Sequence, residues 1–464
     1  MLNSLRIQNF KSWQDTGTIQ FGAITGFFGT NSSGKTSILQ FLLMLKQTVE
    51  SSDRARILNL GNERSYVDLG AFNDIIHNRL DSGRIKFDIE YIPNKEIFIH
   101  HIVDNNIIAF DEYEEYNDKI KLSSSILYDT NKIYTEFFKY KLGNKLLGLA
   151  VNDFHQQIPY YSVIQENLSI INMEALKILG SLNPEKFYMF PSIMRYNINS
   201  YETLNSISFS FQEKLEQIYY LGPLREYPKR FYIWSGEDTE DVGTRGENTV
   251  AALLASKSKV YFSGPDFALE NTYFLEELVA QWLKNLELIH SFAVKAIAPN
   301  RREYEVRVRR TAESAEVLLT DVGFGVSQLL PVLVLLFYVP EGSTIILEQP
   351  EIHLHPAVQA GLADVFIDAI KRRNVQIILE SHSEHLLQRL QLRMAEKGLN
   401  PDKEFDAGRA NLYFTSIEEG RSVLTPLQLD EYGNINNWPE GFFGDTLGDA
   451  AAKMKAEMKR KMQQ

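Results

Sequence analysis

The chain of 464 residues contains no cysteine. That absence excludes disulfides, cysteine nucleophiles and thiolate zinc sites, and it fits a reducing compartment such as the cytoplasm. Apolar runs of membrane length are missing too. The longest, Leu329 to Val339, has 11 residues and contains Pro331, against the roughly 20 that a spanning helix needs. The N-terminal stretch Met1 to Lys11 alternates apolar and polar residues and lacks the unbroken apolar centre of a secretory signal, so it reads as a first strand of a cytoplasmic protein with no membrane contact. Positive charge is scarce: 48 Lys and Arg face 60 Asp and Glu, a net charge of −12. A surface that coats nucleic acid indiscriminately is thereby excluded, because that binding draws its free energy from basic groups displacing counterions. Any DNA contact has to be local. Two local basic groups exist, Arg301, Arg302, Arg307, Arg309 and Arg310, and in the tail Lys453, Lys455, Lys459, Arg460 and Lys461; solvated surface is the commoner meaning of such groups. Internal repeats and sustained heptads are also missing, which excludes a long coiled-coil arm.

What is present is a 44% hydrophobic chain, material for about three lobes at ~150 residues each. Its most informative segment is Gly29-Thr30-Asn31-Ser32-Ser33-Gly34-Lys35-Thr36, a complete GxxxxGK[ST] phosphate loop, with Ser37 following. An apolar strand, Ala23 to Phe28, precedes it and an apolar helix from about Thr36 follows. That arrangement turns successive backbone N–H groups and a helix N-terminus onto one anion site. Lys35 would lie along the β- and γ-phosphates of ATP, and the Thr36 hydroxyl would enter the shell of a Mg²⁺ ion, which takes few hard protein ligands beside phosphate oxygens.

Leu5 to Phe10 and Thr18 to Phe21 predict a hairpin, and Ile85, Phe87, Ile89 and Tyr91 alternate along one face of a strand. Further strands are expected at Ile97 to Val103 and Ile107 to Phe110. From about Asp111 to Asn205 the composition turns to Tyr, Asn, Lys and Ser, which predicts an inserted accessory lobe. Motif density returns at Tyr220-Leu-Gly-Pro-Leu-Arg225 and in the loop-like Gly236 to Glu247. Helices are expected at Thr249 to Leu254 and Leu269 to Leu286, then a hairpin of Ala293 to Ala298 with Tyr304 to Arg309.

Thr344-Ile-Ile-Leu-Glu348-Gln349-Pro-Glu351-Ile-His353-Leu-His355 is an apolar strand ending in a carboxylate, the Walker B pattern that places Glu348 as a second Mg²⁺ ligand. A second buried strand, Val375 to Leu379, ends in Glu380-Ser-His382 and brings the histidine to the same crevice. Between loop and strand, Gly323-Phe-Gly325-Val-Ser327 opens the apolar helix Val326 to Tyr338, a further helix N-terminus for an anion.

With these residues the chain resembles the split ATPase head of the ABC superfamily, in the branch of RecF, the SMC proteins and the OLD-like ATPases of AAA-15 type. Asn9 to Trp13 resembles that branch's opening strand, Gly323 to Gln328 its signature loop and His382 its switch histidine. Leu221 to Arg225, Asp321 to Gly325, Glu348 to Pro356 and Asn436 to Asp445 further resemble the OLD-like ATPases of bacterial anti-phage systems such as PARIS and Septu, which work with a separate nuclease. The resemblance implies an α/β fold: a parallel or mixed sheet around the phosphate loop plus an antiparallel β-lobe. The head would be split over 1–112 and 206–430, with an accessory lobe at 113–205 and a C-terminal extension at 431–464. It also implies ATP and Mg²⁺ as cofactors and head-to-tail dimers or higher oligomers in which Gly323, Gly325 and Ser327 act in trans.

Two departures follow. Gly323 takes the place of the signature serine, leaving Ser327 or backbone N–H groups to meet the γ-phosphate. Gln349 stands where the superfamily has its catalytic glutamate. Glutamine orients water without accepting its proton, so hydrolysis, a matter of positioning and charge stabilisation, is expected to be slow, with Glu351 as a substitute base and the head acting as a clamp more than a motor. Lys35, Gln349, Glu351 and His382 are the candidate catalytic residues.

The pairs His353/His355 and His382/His385 have spacings compatible with zinc, but each lies in an ATPase motif. The 82 residues after His382 hold a strand pair and a terminal helix without an acidic cluster for two-metal nuclease chemistry, so the chain is expected to cut nothing itself. On that helix, about Ala450 to Met462, Met454, Met458 and Met462 recur at i+4, a packing stripe or a docking face for a second subunit. The function expected is an ATPase that senses infection and controls an effector from another gene, by resemblance a nuclease. The alternative is a RecF-like DNA-maintenance ATPase.

Overall fold

A computed structural model describes residues 1–79, 83–100, 113–129, 132–153, 160–168, 182–196, 201–258, 274–439, 442 and 453–454. The expected strand at 107–110, the first residues of the 269–286 helix and almost all of the terminal methionine helix lie outside them.

The phosphate-loop strand is Ile24–Gly29 and its helix Lys35–Glu50. The strand lies inside a six-stranded mixed sheet. In order this holds Ile218–Leu221, Thr344–Glu348, Gln376–Glu380, Ile24–Gly29, Ala410–Glu418 and Arg421–Pro426; every neighbouring pair is parallel except the last. Strands buried on both faces read as unbroken apolar runs. Here Ile345, Leu347, Ile377 and Leu379 face one core while Ile346 and Ile378 face the other, as the pleat requires.

The second sheet is antiparallel. Leu2–Phe10 pairs with Trp13–Asp15, Ile19–Gln20 and Gly83–Tyr91. Gly83–Tyr91 alternates strictly, with Ile85, Phe87, Ile89 and Tyr91 buried. Beyond it Ile120–Asp129, Lys132–Leu142, Lys145–Asp153 and Tyr160–Glu166 continue the same sheet strand by strand. Residues that present as an insert in sequence thus add four strands to a lobe already begun.

Between the two sheets lies the loop helix. An amphipathic surface helix has one apolar stripe, whereas Lys35–Glu50 buries Ile38, Leu39, Phe41, Leu42, Leu43, Met44 and Leu45 around its circumference. Phe41 meets Phe10 and Phe87 edge-on, with centroids 5.1 and 5.3 Å apart. On the other face of the mixed sheet pack the helices Thr249–Ala255, Leu275–Asn285, Phe324–Tyr338, Pro356–Arg373 and Glu384–Ala395. Ser291–Ala296 and Glu303–Arg309 form the expected hairpin. Gln376 joins the sheets: it accepts from the Leu2 N–H at 2.9 Å and donates to the Leu2 carbonyl at 2.8 Å. Among the described residues, no helix is long and apolar enough to cross a membrane.

Candidate functional site

Parallel register brings four chain segments to one edge. Leu221 pairs with Leu347, Glu348 with Glu380, and Glu380 with Phe27. The carboxyl ends of these strands therefore finish level, and the phosphate loop, Gln349, Ser381 and Gly222 all leave the sheet there. A crevice at that edge is where open α/β sheets bind ligands.

The loop leaves the N–H groups at the start of its helix without a side-chain cap. Gly34, at φ +96°, is the N-cap of the loop helix, and no side chain caps the amides behind it. A Cβ on Gly34 would meet Ser422 Oγ at 2.6 Å, Ser12 Oγ at 2.8 Å and Trp13 Nε1 at 2.9 Å. Trp13 Nε1 donates to the Gly34 carbonyl at 3.1 Å, and Ser33 Oγ donates to the Thr30 carbonyl at 2.7 Å. Thr30, Asn31 and Ser32 are exposed along the rim, with Ser32 at φ +60°, and Ser37 is half-buried behind them. Uncapped N–H groups at such a turn are donors awaiting an anion.

Lys35 is buried and spans the loop, donating Nζ to the carbonyls of Gly29 at 3.1 Å and Thr30 at 2.7 Å. Burial pulls its pKa down and Glu380 partly restores it. Thr36 Oγ1 donates to Glu380 Oε2 at 2.7 Å. Two cis oxygens of an octahedral Mg²⁺ with bonds of 2.0–2.1 Å are about 2.9 Å apart, so Thr36 and Glu380 already hold near that spacing. Glu348, the acid singled out by the strand pattern, sits one strand further on, 7% exposed, and accepts from the Tyr220 hydroxyl at 3.1 Å. Burial and the neighbouring Glu380 charge push its pKa up to about 7. Glu380 is raised by burial, opposed by Thr36 and Lys35. Among the described residues no three His, Asp or Glu side chains converge as a metal cage. Thr36, Glu380 and Glu348 would hold a hard cation only together with phosphate oxygens and water, which is how Mg²⁺ is usually held.

Gln349, in the left-handed region at φ +43°, ends its strand and donates its N–H to the Glu380 carbonyl at 2.9 Å. Glu351 is buried, its pKa raised by that burial, and its Oε1 accepts from the His382 backbone N–H at 2.7 Å. His382 itself lies exposed at the crevice rim. Its imidazole is held below the usual range first by partial desolvation and then by Lys35, which puts the two side chains in one field.

Gly323, Gly325 and Ser327 lie at the start of Phe324–Tyr338. Gly323 is its exposed N-cap without a side-chain cap, whereas Ser327 is buried and donates to the Phe324 carbonyl at 2.8 Å. The backbone amides, and not that hydroxyl, are what this loop offers. Beside it Phe324 meets Tyr227 and His353 at centroid distances of 5.6 and 5.3 Å.

Sequence reasoning did not single out Glu380, the carboxylate that closes its apolar strand beside Thr36. A charged residue ending an apolar strand was the available signal.

Residues 1–387 match the AAA_15 family, described as an AAA ATPase domain. This chain belongs to that family. ATP binding is implied by the AAA ATPase domain, whose matched span holds the phosphate loop, Glu348 and His382. Residues 406–452 match a second family, DUF3696, described as a protein of unknown function. No curated protein matches the sequence. Among solved structures, the AAA_15 chain is similar to the SMC head domain from Thermotoga maritima, at 11% identity and TM-score 0.39, over 92% of this chain and 99% of that one. It is also similar to an Smc head bound to the C-terminal winged-helix domain of ScpA, at 12% identity and TM-score 0.41, over 93% and 98% of the two chains. A third is an Smc head with extended coiled coil bound to the C-terminal domain of ScpA, derived from Pyrococcus furiosus, at 11% identity and TM-score 0.37, over 99% of each chain. The AAA_15 fold here is mixed α/β, with one largely parallel six-stranded sheet and an antiparallel eight-stranded sheet beside two smaller antiparallel ones.

Proposed function

We propose that this protein binds and slowly hydrolyses ATP with Mg²⁺, oligomerises through its ATPase heads, and serves as the sensing and regulatory subunit of an anti-phage complex whose effector, a nuclease, is a separate protein. The observation that carries the regulatory reading is the pair Gln349 and Glu351. The side chain following the metal-side carboxylate is an amide, and the nearest alternative base spends one oxygen on the His382 backbone. Such a site favours long-lived bound ATP over rapid turnover.

Oligomerisation through the signature loop is supported by Gly323. At φ −56° and with nothing within 4 Å of an added Cβ, no contact among the described residues requires glycine there. Close approach by an outside group would. Next to it Phe324 and Tyr227, ring centroids 5.6 Å apart, are exposed, an apolar pair suited to contact with a second copy. The DNA-clamp alternative draws on Arg301 to Arg310. Arg307 pairs with Glu305 at 2.7 Å and Arg301 with Glu303 at 4.0 Å, which leaves less free positive charge for a phosphate backbone.

The test is affinity purification of the tagged protein from its native host with ATP and Mg²⁺, followed by mass spectrometry. A nuclease or other toxic effector in fixed ratio is the expected result. Recovery of the protein alone, or with DNA that survives salt washing, would favour the clamp.

A further inference from the structure

After Ile218–Leu221 the chain runs through Gly222, Pro223 and Leu224 to Arg225. Leu224 is exposed, while Arg225 turns inward and is 5% exposed. Its Nε, Nη1 and Nη2 are all buried, and none has a hydrogen-bond partner among the described residues. A guanidinium carries five N–H donors and a permanent charge. A buried donor left unmet is costly, and more so when it is charged.

The groups around Arg225 do not meet this demand. Burial pulls its pKa down to about 10, and Tyr220, Glu348 and Glu351 nearby restore it only in part. The Tyr220 hydroxyl is committed to Glu348. One oxygen of Glu351 holds the His382 backbone, and the other is buried without a hydrogen-bond partner among the described residues. Among the described residues cation and carboxylates share a pocket without closing an ion pair, so the acceptor that completes Arg225 lies beyond them and is anionic.

Position identifies that anion. Arg225 follows the strand three inter-strand steps, about 14 Å, from the phosphate-loop strand, on the same carboxyl edge. The floor between them is made of the ends of the two intervening strands, Glu380 and Glu348. A phosphate chain anchored on Lys35 and the loop amides, with a cation over Thr36 and Glu380, has this edge to run along.

We propose that Arg225 is a direct ligand of the terminal phosphate of a bound nucleoside triphosphate, supplied by the same chain as the phosphate loop, so that the crevice distinguishes tri- from diphosphate. This rests on the nucleotide-binding reading above. Arginine suits the task because its planar fork meets two phosphate oxygens at once.

The experiment is calorimetric titration, with Mg²⁺, of adenosine 5′-(β,γ-imido)triphosphate and of ADP against wild type, Arg225→Met, Arg225→Lys and Lys35→Ala. Methionine keeps the apolar stem and removes the donors. Arg225→Met should weaken the triphosphate by about ten-fold or more, as a lost charged hydrogen bond implies, and ADP by less than about three-fold. Arg225→Lys should fall between, and Lys35→Ala should lose both ligands. Equal weakening of the two ligands by Arg225→Met, or none, overturns the inference and leaves the function standing. Wild type that binds neither ligand overturns both. Should Arg225→Met not fold, wild type labelled with ¹⁵N-arginine answers the question. One Nε–H resonance, absent in Arg225→Lys, should shift with the triphosphate and not with ADP; an arginine spectrum indifferent to the third phosphate overturns the inference.

Discussion

The hydroxyl of Thr36 and the carboxylate of Glu380 meet at 2.7 Å across 344 positions of sequence. One belongs to the first turn of the loop helix and the other to the end of the adjacent strand, so the bond locks the anion-binding turn to the acidic edge. Glu380 is accordingly expected to take part in metal binding together with Glu348.

Glu380→Gln keeps an acceptor for Thr36 and removes the charge. Nucleotide affinity in Mg²⁺ should fall by about ten-fold, the scale of a lost charged contact, while affinity in EDTA stays unchanged. Calorimetry with and without Mg²⁺ reads this difference, and an unchanged Mg²⁺ dependence would remove Glu380 from the site.

Gly34→Ala combines a left-handed backbone with contacts under 3.0 Å to Ser422, Ser12 and Trp13. The two hydroxyls can rotate, but the fully buried Trp13 cannot yield as easily. A loss of roughly 1–3 kcal/mol in stability is expected, with nucleotide binding abolished because the loop amides turn away. Thermal melting and fluorescent-nucleotide binding test both halves.

Gln349→Glu restores a proton acceptor beside the metal-side carboxylate. Under single turnover, hydrolysis should speed up by about a hundred-fold, the lower end for a positioned general base. An unchanged rate would take away the basis for a slow clamp.

The pH dependence follows from Glu348. Its folded pKa, about 7, lies above the unfolded carboxylate value, so the folded state binds the extra proton. Stability from this group is full below about pH 4.5 and is lost as pH rises to about 7, at most about 3 kcal/mol. The nucleotide-free protein should therefore lose melting temperature between those values, and Glu348→Gln should flatten that slope. A wild-type slope unchanged by the substitution would show that another group carries it.

Much of the site is legible because its parts are short and local. The turn from Gly29 to Thr36 declares itself within eight residues: its glycines, lysine and hydroxyl fit a phosphate-binding pattern, and the apolar strand and helix around it follow from residue pattern alone. Glu348 and His382 are found in the same way, as polar residues closing apolar runs. The alternation of Ile85, Phe87, Ile89 and Tyr91 likewise shows a half-buried strand before any partner is known.

Partnership is what local pattern lacks. Nothing near Glu380 indicates Thr36; only the parallel pairing of Gln376–Glu380 with Ile24–Gly29 brings them together. Glu351 reads as a spare base in sequence, while tertiary structure turns it to the His382 backbone. The polar composition of 113–205 suggests a separate lobe, yet strand pairing adds Ile120–Asp129 and its successors to the sheet of Gly83–Tyr91. Arg225 is one more basic residue after a strand until packing buries it and leaves its donors unmet. Sequence by itself determined the chemistry that short-range geometry can hold, a phosphate loop between strand and helix. Tertiary structure alone decided which distant charges share that crevice, because sheet register and burial depend on contacts between segments hundreds of residues apart.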